Sequence, residues 1–144
     1  MGIHKTARVH STAIIHPTAN VGAGVIVGEW ARICARAKID YGTIICAGAG
    51  VGHDANVGAR AYVGPMAIVG RRATLKYKAW VDDWAHVGDE AYVGVEARVG
   101  IWATLGHGAQ IGNGATVGAR VRIDARHTVG NDVTVMTNTK EGVG

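Results

Sequence analysis

Residues Ala85–Gly118 read AHVGDEAYVGVEARVGIWATLGHGAQIGNGATVG, six consecutive copies of Ala-x-[Val/Ile/Leu]-Gly at a constant spacing of six residues. Extended both ways, the same register places Val, Ile or Leu at every sixth position from Ile3 to Val135, 23 hexads without interruption. Internal repetition at this scale decides the architecture before local propensity is considered, and six residues are too few for a helix pair. Six is a multiple of two, the side-chain period of a strand, so the residue two before each aliphatic faces the same side. That residue is Ala at 17 of the 22 positions from Ala7 to Val133. The residue after the aliphatic is Gly at 13 of 23 sites and Asp at Asp40, Asp82 and Asp124, types that tolerate a positive φ, which is expected there. Each hexad reads as a short strand plus a turn, with one large and one small apolar side chain pointing inward.

A string of such units can bury its inward face only by coiling, each coil hydrogen-bonded in parallel to the next. The expected product is a β-solenoid. The Ala-x-[aliphatic]-Gly hexads resemble the hexapeptide-repeat proteins, and the resemblance implies an all-β, left-handed parallel β-helix with three hexads to a triangular coil. The left hand comes from the resemblance, since parallel crossovers are otherwise right-handed. At the sheet spacing of about 4.8 Å per coil, seven to eight coils make a prism on the order of 36 Å long. One domain is expected over residues 1–144, with a polar end-coil over 1–20 and an irregular end over 136–144.

Composition agrees with a narrow prism. The chain has 144 residues, is 48% hydrophobic but only 6% aromatic, and contains no Phe, so its core is expected to be built of small β-branched side chains. Net charge is +4. The basic residues are spread along the chain apart from a modest cluster at Arg71, Arg72, Lys76 and Lys78, a pattern of solvated surface rather than of nucleic-acid binding. Met1–Thr6 leads into no apolar run of the signal-peptide kind, and no stretch is long enough to span a bilayer, so no membrane association is expected. Cys34 and Cys46 both take the place of the turn glycine, two hexads apart. That puts them on different prism edges, beyond the roughly 7 Å that a disulfide can bridge. Free thiols suit a reducing, cytoplasmic setting.

His4, His10 and His16 stand where Gly stands later in the chain, and with Lys5, Thr6, Arg8, Ser11 and Thr12 they make the first coil polar. Successive hexads occupy successive edges, so the three rings cannot share one metal ion. A polar end-coil is the better account, because terminal repeats expose sheet edges that need blunting. At the other end Met136–Gly144 loses the period and reads as a frayed or loosely folded cap.

Folding the sequence at three hexads per coil makes the outward columns readable. Arg36, Asp54, Arg72 and Glu90 form a column of alternating charge, expected to be a surface ladder. A second column reads Ile26, Ile44, Tyr62, Trp80 and Arg98, the one continuously apolar face. Trp84 lies directly under Trp102, with Trp30 in the same column, at the corner beside that face. Contiguous exposed apolar surface marks a partner. Hexapeptide-repeat proteins are typically homotrimers of parallel prisms, which makes Ile44, Tyr62, Trp80, Trp84 and Trp102 candidate subunit-interface residues.

The stretch Ile44–Gly70, IICAGAGVGHDANVGARAYVGPMAIVG, carries the residues of chemical interest. It resembles the sialic-acid O-acetyltransferases and nucleotide-sugar N-acetyltransferases, in which a His-Asp pair follows Gly-Ala-x-Val-x and a Pro comes eleven residues after the Asp. Gly48, Ala49, Val51, His53, Asp54 and Pro65 match that pattern. The resemblance implies His53, with Asp54, as the general base that takes a proton from an acceptor hydroxyl or amine as it attacks acetyl-CoA. That role needs an imidazole oriented by a carboxylate or carbonyl. The family's second His, nine residues after the first, is Tyr62 here, and no long loop interrupts the hexads. The γ-class carbonic anhydrases share this fold and bind zinc through three His. Here His53 and His107 share a column but lie three coils apart, about 14 Å at the strand spacing, so no metal site is expected.

Two functions follow. One is a noncatalytic, trimer-forming β-helix scaffold that needs no cofactor. The other is an acetyl-CoA-dependent acyltransferase on a sugar or amine acceptor, with His53 as general base.

Overall fold

The computed structural model describes residues 2–139. Two-residue strands recur every six residues from β1 (Gly2–Ile3) to β23 (Thr134–Val135) and are sorted in turn onto three parallel sheets. Face 1 runs from β1 to β22 (Thr128–Val129), face 2 from β2 (Arg8–Val9) to β23, and face 3 from β3 (Ile14–Ile15) to β21 (Arg122–Ile123). Every pairing joins a residue to the one three hexads further on, as in Gly2↔Asn20 and Tyr62↔Trp80. The expected three-hexad coil is therefore the observed one, and the chain forms a prism with three faces and three edges. The first edge, between faces 1 and 2, carries Tyr41 and Tyr77. The second, between faces 2 and 3, carries Trp84 and Trp102, and the third, between faces 3 and 1, carries His53 and Asp54.

The inward columns are those expected. Val93, Val99 and Ala97 are 0% exposed and Leu105 1%, and burying each aliphatic is worth about 1.5–3 kcal/mol. Alternating Ala with Val, Ile or Leu fills a cross-section too narrow for aromatic side chains. Among the described residues one polar side chain is buried in the core: Thr43 stands in the Ala column, and its hydroxyl donates to the Gly58 carbonyl at 2.8 Å. That bond removes the desolvation penalty a buried hydroxyl would otherwise carry.

The turn differs from the expectation. Positive φ falls not on the residue after the aliphatic but two residues later, at every sixth position from Gly24 to Asp132, including Trp30, Asp54, Met66, Trp84 and Trp102 at φ of 59–63°. Left-handed backbone costs a non-glycine residue roughly 1–2 kcal/mol. It is held by a backbone bond to the preceding coil, as from Asp54 N–H to Ala35 O at 3.0 Å and from Trp102 N–H to Asp83 O at 3.1 Å. The glycine after the aliphatic has another cause, which is close approach. A Cβ on Gly88 would lie 2.5 Å from the Leu105 carbonyl oxygen of the next coil, and one on Gly106 would lie 2.5 Å from Ala125 N.

The first coil replaces that turn by side-chain clips. The Nδ1 atoms of His4, His10 and His16 accept the backbone N–H of Thr6, Thr12 and Thr18 at 3.1, 3.2 and 3.1 Å. Each threonine hydroxyl then accepts the N–H of Gly24, Trp30 or Arg36 at 3.0 Å, doing the work that a carbonyl does in later coils. The three histidines thus sit one to an edge, each engaged in its own turn. At the far end, the described residues past Val135 leave the strand pattern and are tied back to the last coil by hydrogen bonds. Thr139 N–H donates to Arg122 O at 3.0 Å, Arg122 N–H to Asn138 Oδ1 at 2.8 Å and Asp124 N–H to Thr139 Oγ1 at 2.8 Å. Asn138 and Thr139 so pair with the otherwise open edge of β21. The remainder of the expected irregular end, 140–144, lies outside the described residues.

Candidate functional site

His53 and Asp54 are neighbours on the third edge, but the structure couples Asp54 to a different residue. The left-handed conformation of Asp54 turns its carboxylate outward to the preceding coil, where Arg36 grips it with Nε–Oδ1 at 2.8 Å and Nη2–Oδ2 at 3.0 Å. Two such N–H donors in a planar fork match a carboxylate, and among the described residues no hydrogen bond joins Asp54 to the His53 ring. The hydrogen bond from Arg36 holds the Asp54 carboxyl below the usual carboxylate range, and the same contact raises the Arg36 guanidinium. The pattern recurs further along the edge. Arg72 donates to Glu90 Oε2 from Nη2 at 2.7 Å and holds that carboxyl low, and Asp89 Oδ1 accepts the Arg71 N–H at 2.9 Å. The expected charge ladder is therefore present.

His53 is exposed, and among the described residues its ring makes no hydrogen bond; its carbonyl accepts the Arg72 N–H at 2.9 Å. His107 lies three coils on, with Arg71 and Asp89 between them in the column, and its Nε2 is 3.6 Å from Glu90 Oε1. No cluster of three or more metal-ligating side chains occurs among the described residues.

Face 2 brings its aromatic residues together. Tyr62 stacks on Trp80 with ring centroids 4.1 Å apart and planes 17° from parallel, and the Arg98 guanidinium lies 5.3 Å from the Trp80 centroid. Trp80 Nε1 donates to Asp82 Oδ1 at 2.6 Å, and Ile44 pairs with Tyr62 on the other side. The Cys46 thiol beside the Tyr62 hydroxyl, together with partial burial, pushes that phenol up to about 12. On the second edge Trp84 and Trp102 stack at 4.9 Å and 4°, each about half exposed. Met66 is laid over Gly48 in the same column, its sulfur occupying the space a Cβ would need. Cys34 and Cys46 are free and half-buried.

One feature escaped the sequence reading. Face 1 carries a groove of about 870 Å³ over the first five coils, floored by Asn20, Lys38, Asn56 and Thr74 and walled by Tyr41 and Tyr77. The available signal was the alternation at the first edge, where Gly58–Ala59 stands between Asp40–Tyr41 and Lys76–Tyr77.

No protein-family profile and no curated protein sequence matches the chain. Solved structures do. The UDP-N-acetylglucosamine acyltransferase of Francisella novicida superposes with a TM-score of 0.56 at 16% identity, covering 94% of this chain and 61% of that one. LpxA from Acinetobacter baumannii gives 0.61 at 15% identity, covering 93% and 66%. A histidine-to-alanine variant of GDP-perosamine N-acetyltransferase from Caulobacter crescentus, in complex with CoA and GDP-perosamine, gives 0.54 at 22% identity, covering 90% and 50%. The chain spans half to two thirds of the length of these proteins. Three parallel sheets closed into a prism, a three-hexad register and these superpositions establish that the chain has the left-handed parallel β-helix fold of the hexapeptide-repeat acyltransferases.

Proposed function

We propose that this chain is a noncatalytic β-helix scaffold that self-associates as a homotrimer through face 2 and the second edge. The observation that carries this proposal is the exposed aromatic surface formed by Ile44, Tyr62, Trp80, Trp84 and Trp102. Ile44 is 38% exposed, Trp80 37% and Trp102 50%. Side chains of this kind, stacked in register and flanked by Arg98, have the composition of an interface centre. The capture of Asp54 by Arg36 supports a structural role for the third edge. Sedimentation velocity tests the assembly. The parent is expected to sediment as a trimer and Trp80→Glu as a monomer with its β-rich circular dichroism retained. A parent already monomeric at micromolar concentration, or a Trp80→Glu variant that stays trimeric, removes this surface from the account.

A second reading is favoured by the likeness to acyltransferases, one of them solved with CoA and GDP-perosamine. In it the chain transfers an acetyl group to a sugar or amine, His53 accepts the proton of the attacking group, and acetyl-CoA supplies the acyl. Within one copy the face 1 groove does not border His53, so the thioester would have to reach it in a cleft between prisms. CoA is then expected to raise the melting temperature by linkage. His53→Ala should keep that shift while abolishing thiol release with an amino-sugar acceptor, because the imidazole serves the chemical step and not cofactor binding. Without a shift or thiol release the enzyme reading fails; with both, the scaffold reading does.

A further inference from the structure

Face 1 is chemically unlike the other two faces. Its outward column, one residue per coil, reads Asn20, Lys38, Asn56, Thr74, Tyr92, Gln110 and Thr128, so amides and hydroxyls recur at the strand spacing of about 4.8 Å. Along the first edge Tyr41 and Tyr77 stand two coils apart, 48% and 37% exposed, with the small Ala59 between them. They turn one side of the flat sheet into a wall, and the result is the groove over the first five coils.

We propose that this groove binds a linear, uncharged carbohydrate chain lying along the solenoid axis, independently of the function assigned to the other surfaces. Amide and hydroxyl side chains each donate and accept, as sugar hydroxyls do. Tyr41 and Tyr77 add what a sugar ring also needs, an apolar body with a polar tip. The coil repeat is close to the length of one sugar unit in an extended β-linked chain, so each rung of the floor meets a successive sugar. The same observations disfavour other occupants. A nucleic acid needs a run of cations, but Lys38 is the one charged residue of the floor and Lys76 is the other lysine of the lining, with Asp40 two coils away. A peptide added as a strand needs an open backbone edge, whereas the strands under the middle of this groove are paired on both sides. A second copy would look for contiguous exposed apolar area, whereas the outward residues of the floor are Asn20, Lys38, Asn56 and Thr74. Of the aliphatic residues beside them, Val21, Ile39, Val57 and Leu75 are turned into the core, leaving Ile3 exposed at the first coil.

The test is an NMR titration of the full chain with cellohexaose, xylohexaose and chitohexaose, each beside its monosaccharide. At least one hexaose is expected to give saturable shifts centred on the amides of Asn20, Lys38, Asn56 and Thr74, and its monosaccharide to bind more weakly because it meets fewer rungs. Removing both walls with Tyr41→Ala and Tyr77→Ala is expected to weaken binding about tenfold, the scale of losing two aromatic contacts. Asn56→Tyr should block it. That substitution copies Tyr92 in the same column and so suits the fold. Trp80→Glu should leave the titration unchanged, which separates this inference from the assembly proposal. Absence of shifts with all three hexaoses, binding that survives Asn56→Tyr, or a preference for a sulfated over a neutral hexaose would each overturn it.

Discussion

The third edge and face 2 use one device, a side chain per coil set against its counterpart three hexads away, and they end in opposite states. On the third edge Arg36 meets Asp54 and Arg72 meets Glu90. Each charge finds its opposite within the chain and still faces water. On face 2 Tyr62 meets Trp80 and Trp80 meets Arg98, yet stacking covers only the ring faces and leaves the edges exposed. A column can satisfy charges by itself. It cannot bury aromatic area by itself, and that remainder is what a second surface would cover. The motif resemblance in Ile44–Gly70 implies a role for His53 on the first of these surfaces, whereas the physical surplus lies on the other.

The largest effect expected is one that destroys both surfaces together. Val93, on the inward side of face 1, is 0% exposed in the core that both surfaces share, and Val93→Asp places an unpaired charge there at a cost of about several kcal/mol. That variant should not fold, and a cooperative melt near the parent's temperature would contradict the inward placement of the column.

Next in size is the contrast between surfaces in assembly. Trp80→Glu is expected to dissociate the oligomer, and Asp54→Asn to leave its sedimentation coefficient unchanged; the reverse outcome would exchange the roles assigned to the two surfaces.

A smaller effect belongs to Tyr62. Its phenol is raised to about 12 in the folded chain, against about 10 for an unperturbed tyrosine. The stabilisation it reports is complete below the unfolded value and is lost as pH rises from there toward the folded value. An absorbance titration should show one late-ionising phenol that Tyr62→Phe removes, and urea melts of that variant should depend less on pH over the same range.

The smallest effect lies on the charge ladder. Asp54 and Glu90 are both held below the usual carboxylate range. Their contribution is present above the unfolded pKa of about 4 and disappears as pH falls through their folded values. Asp54→Asn should remove part of that acid-side loss, and added salt should shrink the difference because the pair is exposed. A difference insensitive to salt would mean that the ladder acts through more than its charges.

The core was legible because an inward side chain has one requirement, to be apolar and of the right size, and the six-residue period states it 23 times. Arg36 against Asp54 and Trp84 under Trp102 were legible for the same reason, since a fixed coil length converts sequence separation into contact. The turn was misplaced because glycine answers two different needs. At Gly88 it makes room for the next coil's carbonyl, while the positive φ passes to Glu90, and composition cannot tell these apart. The polar first coil was foreseen as polar, but not the bond of each threonine hydroxyl to the coil above it.

By itself, then, the sequence determined the solenoid, its three-hexad register and its buried columns, all consequences of periodic local chemistry that hold whichever way the surface groups point. Only the tertiary structure decided that the His53 ring takes no hydrogen-bond partner among the described residues, that Asn138 and Thr139 pair with β21, and that Tyr41 and Tyr77 wall a groove. Those outcomes depend on the reach and direction of side chains that the repeat brings close without specifying which partner each one takes.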